Sequence, residues 1–137
     1  GGCAQIILQL HEQFVDDLSY ARAAWEFLKS NDYGGAERQA RKALELNPDR
    51  PQVYINRGNV YRAQGDLQAA LADYNAAIWV DPQYAQSYFM RGMVYYGLRE
   101  YDKAWQDVHK AENLGYQPNA QDTEFLEKLK IDSGRNN

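Results

Sequence analysis

The sequence predicts an all-α fold, because its residues recur with a fixed period and each period contains two helical patterns. Tyr20, Tyr54 and Tyr88 are evenly spaced along the chain. The same step relates Phe27, Tyr61 and Tyr95, then Ala36, Ala70 and Ala104, and then Ala43, Ala77 and Ala111. A fixed period of this size indicates an array of stacked repeats rather than a single irregular domain. A length of 137 residues suits one short array.

The period divides the chain into three units with an extension at each end. The units are residues 17–50, 51–84 and 85–118. Residues 1–16 are expected to form an N-terminal helical extension, and residues 119–137 a capping helix with a tail.

The middle unit shows the helix pair most clearly. Val53 and Val60 lie on one stripe with helical spacing. Gly65-Asp66 is expected to end the first helix and cap the second. Asp81-Pro82 ends the second helix, since the residue before a proline is driven out of helical geometry. In the first unit, Gly34-Gly35 is the expected turn.

Both ends of the chain are predicted to be helical. Residues 121–131 form an amphipathic pattern that would close the apolar face left open by the last repeat. A 4-3-4 spacing that includes Phe14, Leu18 and Trp25 predicts a helix running from about Gln5 into the first repeat. That segment is either an N-terminal cap or a dimerisation helix with an apolar stripe formed by Ile6, Ile7, Leu10 and Phe14.

These repeating positions resemble the tetratricopeptide repeat family. The second unit carries the family pattern at Tyr54, Gly58, Tyr61, Ala70, Tyr74, Ala77 and Pro82. The third unit has Tyr116 where the family has proline, and the first has Ala23-Ala24 where it has Leu-Gly. The resemblance implies a right-handed superhelical array of helix-turn-helix repeats. The sequence Tyr-x-x-Arg-Gly, which occurs twice, resembles bacterial members.

The resemblance also implies a concave groove lined by the first helix of each repeat. Positions one, four and eight residues after the start of each unit, with their neighbours, would face it. The candidate groove residues are Trp25, Gln52, Ile55, Asn56, Asn59, Gln86, Phe89, Met90, Met93 and Tyr96. Apolar side chains among neutral amides are typical of a surface that binds a peptide or protein segment through hydrophobic anchors. An alternative places Met90 in the core between repeats.

The chaperone-binding branch of the family holds a C-terminal carboxylate with Lys, Asn and Arg side chains. The corresponding slots here hold Ala21, Trp25, Asn56, Gln86 and Met90, and only Asn56 agrees. We therefore expect no tight binding to the acidic tails of heat-shock proteins.

Trp79 is a candidate on the outer face. The equivalent positions in the other units hold Glu45 and Asn113, so the slot is expected to face water. The tryptophan is then a contact for a partner or neighbouring subunit. Alternatively, its ring lies along Asn75 and the adjoining turn. Trp105 occupies a half-buried slot and is expected to pack.

The composition excludes several classes of function. The net charge is −4, whereas nucleic-acid binders need a basic surface. The longest apolar run is five residues, 76–80, so no transmembrane segment is predicted. His11 and His109 are far apart and one cysteine is present, so we expect no metal, no cofactor and no catalytic site.

The start of the chain leaves localisation open. Gly1-Gly2 before Cys3 resembles the processed boundary of a bacterial lipoprotein and equally resembles a scar of protein expression. Lipidation at Cys3 would indicate a periplasmic, lipid-anchored protein, and its absence a cytoplasmic one.

The sequence therefore predicts a non-catalytic adaptor that holds a peptide or protein segment in its groove. The alternative is a structural subunit of a larger assembly, docked through the N-terminal helix and the outer face. Separately, the dimerisation-helix interpretation of the N-terminal segment predicts a homodimer through that helix.

Overall fold

The computed structural model describes Cys3 and residues 17–135, with side chains from residue 22 onward. Between residues 17 and 135 the chain forms seven α-helices and no strand. They are α1 (Asp17–Lys29), α2 (Tyr33–Leu46), α3 (Pro51–Gln64), α4 (Leu67–Val80), α5 (Ala85–Gly97), α6 (Tyr101–Asn113) and α7 (Ala120–Ser133). This order confirms the predicted all-α array.

The helices pack in consecutive pairs that stack along the chain. Helix α1 packs on α2, α3 on α4 and α5 on α6. Neighbouring pairs meet where α2 contacts α3 and where α4 contacts α5. The first helices of successive pairs also touch, α1 with α3 and α3 with α5. The first helices therefore lie side by side along one face of the array.

The predicted helix ends of the middle repeat are confirmed. Gly65 ends α3 in the left-handed conformation, with a φ of 84° that costs glycine little. The Asp66 side chain caps α4 by accepting a hydrogen bond from the Ala69 backbone N–H at 3.1 Å. Asp81 ends α4 in an extended conformation, as expected before Pro82.

The prediction that Gly34-Gly35 forms the first turn was wrong. Helix α2 begins at Tyr33, and Asp32 caps it by accepting a hydrogen bond from the Gly35 N–H at 2.9 Å. The turn lies at Asn31, whose φ is 60°. Gly35 is buried, and a β-carbon there would lie 2.7 Å from Phe27 Cδ1. The small residue serves close packing between α1 and α2 rather than a bend.

Small residues and one aromatic ring organise the core. Fully buried alanines recur in the second helices, namely Ala36, Ala40, Ala43, Ala70, Ala77, Ala104 and Ala111. They allow paired helices to approach closely. Tyr74 is completely buried beside Gly58, where a β-carbon would lie 2.7 Å from Tyr74 Cε1. The repeated glycine of the middle unit therefore makes room for the ring that fills its core.

We expect Gly58→Ala to lower the free energy of unfolding by about 1–3 kcal/mol, because the new methyl group overlaps a ring that cannot move. Gly34→Ala is the matched control. It is also helical, and its β-carbon would meet only ordinary contacts. That substitution is expected to be neutral or to stabilise by up to about 1 kcal/mol. Urea unfolding of both variants tests the assignment, and equal losses would contradict it.

The C-terminal helix packs against the third repeat, where Phe125 meets Phe89 edge-on. Asn119 and Asp122 exchange side-chain and backbone hydrogen bonds in a capping box at its start. Leu129 is fully buried on its inner side. Trp105 is buried, which confirms its packing role, and its Nε1–H donates to Ser133 Oγ at 3.0 Å. The predicted N-terminal extension lies outside the described residues, apart from an exposed Cys3.

Candidate functional site

The face formed by the first helices carries two adjacent clefts. The first cleft has a volume of about 330 Å³ and lies between α1 and α3. Its principal lining residues are Trp25, Leu28, Lys29, Asn59, Arg62 and Ala63. Trp25 contributes the largest apolar surface, since 55% of it is exposed.

The second cleft has a volume of about 470 Å³ and lies among α3, α5 and α7. Its principal lining residues are Arg62, Met93, Tyr96, Glu124, Phe125 and Lys128. Arg62 lines both clefts, so they form one groove with this arginine at their junction. We call this surface the groove below.

The residues of the groove occupy two positions of the sequence repeat. One position holds Trp25, Asn59 and Met93 in the three units, and the other holds Leu28, Arg62 and Tyr96. The second position follows the first by three residues, and residues three apart in a helix lie on the same side, one turn from each other. Each first helix therefore presents two successive turns to the groove.

Two predicted groove residues are instead part of the core. Ile55 and Phe89 stand at the same position of their units and are both buried. Phe89 stacks on Tyr116 with 4.4 Å between ring centroids and meets Phe125 edge-on at 5.6 Å. The placement of Phe89 on an open surface was wrong, because the segment that includes Tyr116 and α7 covers it.

Met90 is also buried, as its core alternative proposed. The three remaining amides, Gln52, Asn56 and Gln86, are half-buried and line neither cleft. Gln86 accepts a hydrogen bond from Tyr84 Oη at 3.3 Å.

Hydrogen bonds hold the polar groups around the groove in place. Asn59 Oδ1 accepts from Tyr74 Oη, which leaves the Asn59 NH₂ group as a donor on the groove side. Burial raises the pKa of the Tyr74 hydroxyl, and the nearby Arg62 guanidinium opposes that shift. Tyr96 Oη donates to Asp132 of α7, which fixes the far wall.

Sequence reasoning missed Arg62, although the signal was present. Tyr96 was singled out in the third unit, and Arg62 stands one repeat before it at the same position. Leu28 stands one repeat earlier again and also lines the groove. Carrying the Tyr96 position through all three units would have identified both.

The outer face presents a second exposed surface around Trp79. This side chain is 87% exposed, which is inconsistent with a ring lying flat along Asn75 and the adjoining turn. It borders a shallow depression of about 620 Å³ whose other residues include Ile78, Pro82 and Tyr95. A contact with a partner protein and a contact with a neighbouring subunit remain the two proposed roles of Trp79.

Neither a membrane span nor a metal site emerges from the described residues. No helix among them is both long enough and apolar enough to cross a membrane. Their histidine, cysteine, aspartate and glutamate side chains form no cluster of three or more that could hold a metal ion.

Family models match three overlapping parts of the chain. Two models described as tetratricopeptide repeat match residues 18–50 and 40–72, and one described as TPR repeat matches residues 58–98. Together they extend from the first helix to the end of α5.

The chain is similar to curated and structurally characterised proteins. It is 32% identical over 105 residues to Hsp70-Hsp90 organizing protein 2 of Arabidopsis thaliana, which covers 77% of this chain and 18% of that protein. The first TPR domain of human RPAP3 matches with a TM-score of 0.77 at 22% identity, over 88% of this chain and 94% of that one. A Spaghetti (RPAP3) domain bound to an HSP90 peptide matches with a TM-score of 0.73 at 22% identity, over 87% and 94%.

These likenesses have two limits. At 22% identity, the two structural matches show the fold alone. The chain spans less than a fifth of the plant relative's length, so that relative has large parts with no counterpart here. The relative is eukaryotic, and the bacterial type stays a prediction.

Proposed function

The chain belongs to the tetratricopeptide repeat family, and we propose that it is a non-catalytic adaptor that holds a peptide or protein segment in the groove. The observation that carries this proposal is the continuity of the two clefts across all three first helices and α7. A groove of that kind accepts an extended segment, because side chains along one strand of a ligand can enter it in succession.

The relatives support a peptide as the class of ligand. The Arabidopsis relative is named as an organiser of Hsp70 and Hsp90, and the Spaghetti (RPAP3) domain binds the HSP90 peptide SRMEEVD. In this chain, however, the slots that would hold a terminal carboxylate are uncharged at Trp25, Gln86 and Met90. We therefore propose a peptide other than an acidic heat-shock tail.

Trp25→Ala with Met93→Ala is expected to abolish peptide capture while leaving the fold intact. The two side chains lie in different clefts, and each partly exposed surface can bury an apolar anchor of the ligand. Burying one such anchor contributes about 1.5–3 kcal/mol, so losing both weakens binding about a hundredfold or more. Selection from a random linear peptide library, followed by titration of the enriched peptides, measures the loss.

Trp79→Ala is the matched control, since it removes an exposed tryptophan from a surface that shares no lining residue with either cleft. Circular dichroism and urea unfolding establish that all variants remain folded. Retained binding by the double variant and lost binding by Trp79→Ala would contradict the groove and favour the outer face.

The exposure of Trp79 supports the alternative of a structural subunit docked through its outer face. Trp79 borders a depression together with Ile78 and Tyr95, and tryptophan is enriched among residues that dominate protein interfaces. On this proposal, substitution of Trp79 would release the partner and substitution of the groove would not.

Two further proposals concern the N-terminal segment. A homodimer through Ile6, Ile7, Leu10 and Phe14 predicts a doubled mass in light scattering at high concentration. Lipidation at Cys3 predicts an acyl mass on that residue in the native protein. A monomeric mass and an unmodified Cys3 would contradict them respectively.

A further inference from the structure

Arg62 differs from the other two arginines of α3 and α5. Arg57 and Arg91 each donate two hydrogen bonds to a buried aspartate, at 2.8–2.9 Å, and so are neutralised within the protein. Among the described residues, no carboxylate lies within ion-pair distance of the Arg62 guanidinium. Its Nη1 instead contacts the sulfur of Met93 at 4.0 Å.

The Arg62 guanidinium also has a hydrogen-bond donor without an acceptor. Its Nε is buried and has no hydrogen-bond partner, although the guanidinium lies near enough to the Tyr74 hydroxyl to oppose the rise in the pKa of that group. Buried donors are paired in the great majority of cases, so this guanidinium is incompletely satisfied within the protein. Because Arg62 lines both clefts, its other N–H groups are the donors that an acceptor from outside can reach. A carboxylate is the acceptor that guanidinium groups bind best, because it takes two parallel hydrogen bonds.

The charges that line the groove favour the same ligand. Among the described residues, the charged side chains that line it are Lys29, Arg62, Glu124 and Lys128. Lys29 pairs with Glu26 at 3.1 Å and Lys128 with Glu124 at 3.5 Å, whereas Arg62 has no such partner among them. Arg62 is therefore an uncompensated positive charge in the groove of a molecule whose net charge is −4. Such a charge attracts an anionic group of a partner and orients it during encounter.

Apolar surface lies on both sides of Arg62. Trp25 and Leu28 line the first cleft, and Met93 and Phe125 line the second. A ligand whose carboxylate were its own C-terminus would occupy the cleft on one side only. A ligand whose carboxylate belongs to an internal side chain continues in both directions and can fill both clefts.

We propose that the groove binds an extended peptide in which an internal Asp or Glu side chain pairs with Arg62 and an apolar side chain on each side enters one cleft. This inference rests on the proposed function and specifies the chemistry of its ligand. It assigns Arg62 as the residue that sets specificity, whereas Trp25 and Met93 provide apolar contact.

The experiment selects peptides from a random linear library with the wild-type protein, Arg62→Glu and Arg38→Glu. Arg38 is exposed on α2 and lines neither cleft, so Arg38→Glu makes the same change of charge away from the groove. We expect the wild type and Arg38→Glu to enrich an acidic residue between two apolar ones. Arg62→Glu is expected to lose that preference and to favour Lys or Arg at the same place.

Titration of one enriched peptide gives the size of the effect. Replacing its acidic residue with the matching amide is expected to weaken binding to the wild type about tenfold or more and to leave binding to Arg62→Met unchanged. Arg62→Met keeps an unbranched side chain against Met93, and it replaces Arg62→Glu in this comparison if the latter does not fold.

The outcomes separate the two proposals. Enriched peptides without an acidic preference, or the same preference in Arg62→Glu and Arg62→Met, would overturn the assignment of Arg62 and keep the peptide groove. Tight peptides that all need a free C-terminus would overturn the internal position of the carboxylate. No enrichment beyond that of the Trp25→Ala/Met93→Ala variant would overturn the groove function itself.

Discussion

Phe89→Ala is expected to lower the free energy of unfolding by about 3–5 kcal/mol. The ring is completely buried, stacked on Tyr116 and packed edge-on against Phe125. Removing it creates a cavity at the point where the third repeat meets the capping helix. A domain of this size is stable by about 5–15 kcal/mol, so the substitution removes a large share of the total.

The cavity is also expected to loosen α7, because Phe125 loses one of its ring partners. Hydrogen exchange in residues 120–133 should therefore rise more than in α3. Met93→Ala is the matched control, since Met93 is half-buried and lies one turn further along the same helix. We expect it to cost clearly less in urea unfolding. A loss below about 1 kcal/mol for Phe89→Ala would contradict its place in the core.

The sequence was sufficient for the repeat architecture because the repeat is defined by the residues that pack. The spacing of alanines and aromatics fixes which sides of the helices meet, and Gly65 and Asp66 mark helix ends through local backbone chemistry. The rule that paired glycines mark a turn gave the wrong result at Gly34-Gly35, because Gly35 instead allows Phe27 to pack closely against α2. A glycine required by tertiary packing and one required by a turn look the same in a single sequence.

The groove could be located only in part, because position in a repeat does not decide exposure. Ile55 and Phe89 occupy a position that faces the inner side of the array, yet both are buried by elements that follow them in the chain. Their burial depends on how the next repeat and α7 pack against them. The periodicity of the sequence does not predict that packing. Arg62 had a usable signal in its register with Tyr96. Its unpaired Nε, however, depends on which carboxylates lie nearby.

Asp107→Ala is expected to lower the free energy of unfolding by about 3–5 kcal/mol, because it leaves the Arg91 guanidinium half-buried without its carboxylate. Asp107 is buried and accepts two hydrogen bonds of 2.8 Å from Arg91. Burial raises the pKa of Asp107, and the Arg91 guanidinium opposes that shift. The pair therefore links α5 to α6 at a considerable desolvation cost, which only the intact pair offsets.

The same pair occurs one repeat earlier between Arg57 and Asp73, which makes Asp73→Ala an internal comparison. Arg91 has a further acceptor, since its Nη1 donates to Asn75 Oδ1 at 3.0 Å. The position equivalent to Asn75 one repeat earlier is Arg41, which cannot accept a hydrogen bond. We therefore expect Asp73→Ala to destabilise the protein at least as much as Asp107→Ala.

A double substitution, Arg91→Met with Asp107→Leu, separates the cost of an orphaned charge from the worth of the pair. Removing both charges also removes both desolvation costs, so we expect stability within about 1 kcal/mol of the wild type. Urea unfolding of the two single variants and the double variant completes the thermodynamic cycle. If the double variant is as unstable as Asp107→Ala, the pair contributes net stability, because apolar packing then cannot replace it. If the double variant regains the stability of the wild type, the recurring Arg–Asp pair determines the orientation of α5 relative to α6 and contributes no net stability.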